Sequence, residues 1–139
     1  MIQLFHELNI VTRGRGLHEF TSDVEKWIGQ KGFRDGLLTL HLRHTSASLL
    51  IQENAAPEVR EDLLAFLRDL APESAARWRH QDEGPDDMPA HIKSALLPTQ
   101  LAVPVAEARL LLGAWQGIYV VEHRRQPHRR ELVLHLAGE

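Results

Sequence analysis

The sequence predicts an α+β fold: one domain over residues 1–139, with a largely antiparallel or mixed β-sheet in a sandwich-like arrangement and three helices. Three observations predict it. Apolar and polar residues alternate over 37–43 and 130–136, the period of half-buried strands. Over 57–70 the apolar residues recur at helical spacing instead. The elements run strand, helix, strands, helices, strands, with no repeat or low-complexity linker between them. At 139 residues the chain is also too short for a (β/α)8 barrel, which needs roughly 200 or more.

Residues 2–12 read as a strand and Arg13-Gly14-Arg15-Gly16 as a turn, with Leu17–Phe20 a short paired strand. Ser22 or Asp23 is placed to cap a helix bearing Val24, Trp27 and Ile28 on one face, and Gly32 to close it. In 37–43, Leu38, Leu40 and Leu42 share one face; Thr39, His41 and Arg43 share the other. Ala47–Gln52 reads as the next strand. Pro57 suits the first turn of a helix whose apolar positions are Val59, Leu63, Phe66, Leu67 and Leu70. Residues 79–88 are polar and Asp-rich, hence a loop, and Pro89 opens a short helix through Leu97. Leu101–Val105, Arg109–Leu112, Trp115–His123 and Arg130–Leu136 complete the chain as strands. The Pro127 segment is a hairpin loop.

Composition narrows the chemistry. There are nine histidines and no cysteine, so disulfides, thiolate nucleophiles and cysteine-ligated zinc are excluded. Any metal must be held by imidazole and carboxylate. A net charge of −3 argues against a nucleic-acid partner. The start lacks the basic and apolar regions of a secretory signal, and no uncharged run reaches the ~20 residues of a membrane span. The expected location is cytoplasmic, with no membrane partner. P-loop, GxSxG and HExxH motifs are absent.

Four clusters can carry chemistry. His44-Thr45-Ser46-Ala47-Ser48, followed by Glu53, offers hydroxyls and an imidazole for an anion or an ordered water; the plainer reading is a polar turn. His80-Gln81-Asp82, then Asp86-Asp87 and His91, offers donors suited to a divalent metal, or is a solvated acidic loop in which Asp87 favours a helix start. Glycines flank Trp115-Gln116 and permit close approach of a backbone or an aromatic ligand, or merely punctuate a core strand. Glu122 shares strand parity with Ile118 and Val120, so it points inward and must be paired or protonated. Residues 123–130 hold four arginines. Arg124 and Arg125 read as a solvated hairpin tip, and Arg130, opening the last strand, as the better ligand for phosphate. His6, His18, His41 and His135 read as structural or surface residues.

Three runs, HTSASLLIQEN at 44–54, DDMPAHIKSALLP at 86–98 and LGAWQGIYVVEHR at 112–124, together resemble the YjbQ-like family, also called the secondary thiamine-phosphate synthase family. The likeness spans essentially the whole chain. The chain departs from the family pattern at Val105–Arg109, where relatives tend to carry a glycine-containing turn. The resemblance implies a compact α+β fold assembled as a homotrimer. It also implies a weak synthase activity that joins hydroxymethylpyrimidine diphosphate to hydroxyethylthiazole phosphate and releases pyrophosphate.

By motif position it implies a metal pocket at His44, His80 and His91. Zinc is the first expectation, and magnesium suits the diphosphate substrate. On that basis Arg130 supplies a second cationic contact, and Thr45, Ser46 and Ser48 supply hydrogen bonds. Trp115 walls the ring, Gln116 orients it, Glu53 or Asp82 steadies a ligating imidazole, and Glu122 is a general base or the partner of Arg130. Two other readings stand beside it. One is a metal-dependent hydrolase of another phosphorylated or cyclic small molecule. The other is a non-catalytic trimeric protein that binds a small ligand or metal.

Overall fold

A computed structural model describes residues 1–74 and 76–139. Its elements are β1 (Ile2–Val11), β2 (Gly16–Glu19), α1 (Thr21–Lys31), β3 (Gly36–Leu42), β4 (Ala47–Glu53), α2 (Pro57–Leu70), α3 (Asp87–Leu96), β5 (Gln100–Ala106), β6 (Arg109–Leu110), β7 (Gln116–Glu122) and β8 (Arg129–Gly138). They form a five-stranded sheet in the order β1-β8-β3-β5-β6 and a three-stranded sheet in the order β2-β7-β4. Every pairing is antiparallel.

Strand alternation explains the core. Leu38, Leu40 and Leu42 of β3 and Leu132, Leu134 and Leu136 of β8 are buried on one face of the large sheet. Ala47 and Leu49 of β4 and Ile118 and Val120 of β7 are buried on the small sheet. Phe20, Val24, Trp27 and Ile28, at and within α1, join both sets in a single apolar cluster. Helix α3 packs against β4, and α2 against the short strand β2.

Four local features depart from expectation. Helix α1 starts at Thr21 without a side-chain cap from Ser22 or Asp23. Thr21 Oγ1 is used across the fold instead, donating to Glu19 Oε2 at 2.9 Å and accepting the Ile118 N–H at 2.8 Å. Helix α3 begins two residues before Pro89; the first turn tolerates proline because its missing N–H would lack an intrahelical partner anyway. The stripe on α2 is helical as expected, yet none of its residues is fully buried, and Phe66 and Leu70 are exposed. A two-residue turn joins β5 to β6 without glycine, holding Glu107 and Ala108 at φ 50° and 63°. The strain of that left-handed pair is offset where the Glu107 N–H meets Asp35 Oδ1 and the Ala108 N–H meets the Arg34 carbonyl.

Candidate functional site

The polar interior is built where the end of β7 meets the start of β8 across the two sheets. Glu122 closes β7 on its inward face and is fully buried; Arg130 follows β8's first residue and is 2 % exposed. Arg130 Nε donates to Glu122 Oε1 at 2.9 Å, and Arg130 Nη2 pairs with Glu122 Oε2. Thr12 Oγ1 and the Arg124 N–H also donate to the carboxylate, at 2.6 and 3.1 Å. Burial pushes the Glu122 carboxyl up, but these donors, Arg130 foremost, hold it below its ordinary value. Glu122 is therefore an ionised partner of Arg130. Arg130 also donates to the Ser46 carbonyl at 3.1 Å and lies 3.3 Å from His44 Nδ1.

Beside this pair, the start of α3 gathers a second group. His80 Nε2 and His91 Nε2 stand 2.9 and 3.2 Å from Asp87 Oδ2. The donor atoms of all three lie within 4.8 Å of one another. Asp87 and His91 are neighbours because i and i+4 share a helix face. His91 Nδ1 lies 2.8 Å from the Thr45 carbonyl oxygen. A carbonyl only accepts, so Nδ1 carries a proton; in the neutral ring Nε2 is then the lone-pair nitrogen, and it faces the Asp87 carboxylate. In that form the ring and the carboxylate present donor atoms that one cation can share. The other Asp87 oxygen accepts from Arg124 Nη1 at 2.7 Å, while Arg124 Nε binds Asp86 at 3.0 Å. Imidazole, carboxylate and this outer support match the donor chemistry of a divalent metal.

The expected site residues separate into three places. His80 and His91 come together, with Asp87 as the third donor. His44 lies apart from them: its Nε2 accepts the Glu131 N–H at 2.7 Å and its Nδ1 faces Arg130, so both ring nitrogens meet N–H groups of the chain. Burial, then Arg130, lowers its basicity. Asp82 is solvent-exposed; Asp87, almost fully buried, is the carboxylate beside the two imidazoles. Thr45 and Ser46 contribute backbone carbonyls to His91 and Arg130. Ser48 Oγ lies 2.8 Å from His123 Nε2 in a buried pair.

Glu53, Trp115 and Gln116 sit at the far end of the small sheet, where Glu53 pairs with Gln116 and Ala47 with Glu122. Six residues of strand put about 20 Å between those ends. There Glu53 accepts the N–H groups of Ala55 and Ala56 ahead of α2, Gln116 accepts the Gly113 N–H, and Trp115 is exposed. A Cβ at Gly117 would lie 2.7 Å from Glu19 Oε2 and 3.1 Å from Asn54 Cβ, so the glycine lets these side chains lie against the strand. The close approach is thus to the chain's own side chains.

A family model described as "UPF0047 protein YjbQ-like" matches residues 6–139. The chain belongs to this family. It is 50% identical to the UPF0047 protein sll1880 of Synechocystis sp., over 95% of this chain and 90% of that one. It is 42% identical to the UPF0047 protein YjbQ of Salmonella typhimurium, over 95% and 96% of the two chains. Among solved structures it is similar to the conserved hypothetical protein TT1486 of Thermus thermophilus. That match has a TM-score of 0.83 and 34% identity and covers 93% and 97% of the chains. A YbjQ-like protein of unknown function from Sulfolobus solfataricus shares the fold at a TM-score of 0.86 and 23% identity, over 99% and 100%.

In this YjbQ-like chain three further residues hold places that the sequence reading did not assign them. Arg124 and Arg125 do not form a free hairpin tip: Arg124 clamps Asp86 and Asp87, and Arg125 pairs with Glu73. Their partners lie 37 to 52 residues away, beyond any local pattern. Lys93 is buried, and helical spacing carried a signal for it, since Asp86, Pro89 and Lys93 mark one buried stripe.

Two outcomes test this interior. Glu122→Gln leaves the Arg130 guanidinium buried without its counter-ion and should lower stability by about 3–5 kcal/mol in denaturant unfolding; an unchanged midpoint would refute the role given to the pair. Burial, reinforced by Lys93, depresses the His123 ring to about 3 from 6.5. Below about pH 6.5 the unfolded chain takes up this proton and the folded chain does not, so stability falls as pH drops toward about 3. The His123 ring resonances should stay fixed between about pH 8 and 5 in an NMR titration.

Proposed function

We propose that the chain binds a divalent cation, zinc in the first instance, through His80, Asp87 and His91, and acts with it on a small phosphorylated substrate. The observation that carries this reading is His91: its Nδ1 is tied to the Thr45 carbonyl, which aims Nε2 at the carboxylate oxygen also approached by His80. The finer reading follows the resemblance. Hydroxymethylpyrimidine diphosphate is joined to hydroxyethylthiazole phosphate with loss of pyrophosphate. A bound divalent cation would supply positive charge for a substrate phosphate or a leaving diphosphate.

The chain's own residues hold the donors in place. Arg124 fixes the Asp87 carboxylate from behind, and the Thr45 carbonyl sets the His91 tautomer. Arg130 serves as an internal clamp in this reading, because its guanidinium is already bound to Glu122 and the Ser46 carbonyl. A homotrimer in the cytoplasm completes the proposal. The exposed Phe66 and Leu70 on α2, and Trp115, are apolar surface that a neighbouring subunit would cover. No helix among the described residues is long and apolar enough to cross a membrane.

His91→Ala should lose bound metal, measured by elemental analysis after purification without chelator or nickel resin, and should lose synthase turnover with it. Full metal content and full turnover in that variant would overturn the site. Arg124→Gln should weaken metal affinity about 10–100-fold while leaving the three donors present. A monomeric mass by light scattering would remove the trimer from the proposal.

A further inference from the structure

Helix α3 carries charge on two sides. Asp87 and His91 face the candidate metal centre, and Lys93 lies about 200° round the helix from His91, on the side of Asp86 and Pro89. Lys93 is 4 % exposed, and its ammonium makes no hydrogen bond or ion pair with a described residue. It lines two cavities of about 330 and 430 Å³ whose walls share Arg15, Arg68, Lys93 and His123. These cavities lie where α2 and α3 meet the turn before β2 and the residues that follow β7. Gly14, at φ 114°, makes that turn, and a Cβ there would stand 2.5 Å from the Arg125 carbonyl oxygen, so the Arg15 segment is seated directly on the β7–β8 connection.

The acids nearby are engaged elsewhere. Glu73 binds Arg15 and Arg125, Asp86 is held by Arg124 and the Arg125 N–H, and Glu122 belongs to Arg130. Asp69 is exposed on α2. A buried ammonium among further cations, with no carboxylate of its own, is costly in an empty cavity and stabilised by an anion that enters it.

We propose that this cavity binds the phosphate or diphosphate group of a small molecule, with Lys93 and Arg68 as its main cationic contacts and Arg15 beside them. Guanidinium and ammonium donors converging on one space suit an oxyanion with several charged oxygens. The site deepens the function proposed above and rests on it for the identity of the substrate. Its anion chemistry rests on the cavity alone.

The test is calorimetric titration of the full chain with inorganic phosphate and with pyrophosphate, in the presence of a chelator. Saturable binding is expected for the wild type. Lys93→Met and Arg68→Gln, the second at an exposed position that the fold does not need, should each weaken binding about ten-fold or more, as loss of one charge-assisted contact would. His91→Ala should bind the anion as tightly as the wild type in this titration while elemental analysis without chelator shows its metal lost, which separates failure of the anion site from failure of the metal centre. No saturable binding at millimolar phosphate or pyrophosphate would overturn the proposal, as would unchanged affinity in Arg68→Gln.

Discussion

The Glu122–Arg130 pair joins the last residue of β7 in the small sheet to the second residue of β8 in the large one. It is the polar constraint on which the rest of the interior depends. A carboxylate and a guanidinium withdrawn from water tolerate little displacement, because each hydrogen bond they lose is a buried charge left uncompensated. Their remaining contacts extend that rigidity. Thr12 ties in the end of β1, the Ser46 carbonyl the start of β4, and the Arg124 N–H the segment leaving β7. Arg124 then turns its side chain onto Asp86 and Asp87, so the candidate metal donors are braced through two ion pairs back to the junction of the sheets. Such pairs are poor sources of net stability and good sources of fixed geometry, and fixed geometry is what a metal or phosphate site requires.

Helix α3 divides the chemistry by rotation. One side aims Asp87 and His91 at the β3–β4 connection; the other carries Lys93 into the space beneath α2. The proposed cation site and the proposed anion site thus sit back to back on ten residues. Substrates that carry phosphate need both kinds of contact, and a single helix sets their spacing without help from loop conformation.

Much of this was legible in the chain itself. Period-2 alternation placed Leu38, Leu40 and Leu42 inward, and the parity that Glu122 shares with Ile118 and Val120 turned it inward too, to be paired or protonated. The strands and helices fell close to their expected bounds because propensity, turn residues and burial agree there. What stayed hidden was set by tertiary approach. His44 belongs to a motif run with hydroxyl neighbours, yet β8 delivers the Glu131 N–H to one of its ring nitrogens. Trp115 and Gln116 stand near Thr45 and Ser48 only if the direction of the small sheet is ignored, since β4 and β7 run antiparallel and carry the two clusters to opposite ends. Arg124 resembled a surface arginine because its partners are remote in sequence.

The position of β8 has a consequence for how the chain acquires its shape. β8 lies between β1 and β3 and hydrogen-bonds to both, so the first strand finds its partner only when the last one is available. The span of chain that must be closed is nearly the whole sequence, and closure that long favours slow folding. Until it happens both edges of β1 are unpaired and Leu4 and Leu8 are uncovered, the kind of ribbon that pairs with strangers. A ribosome emitting this protein therefore releases its first strand long before the strand that shelters it.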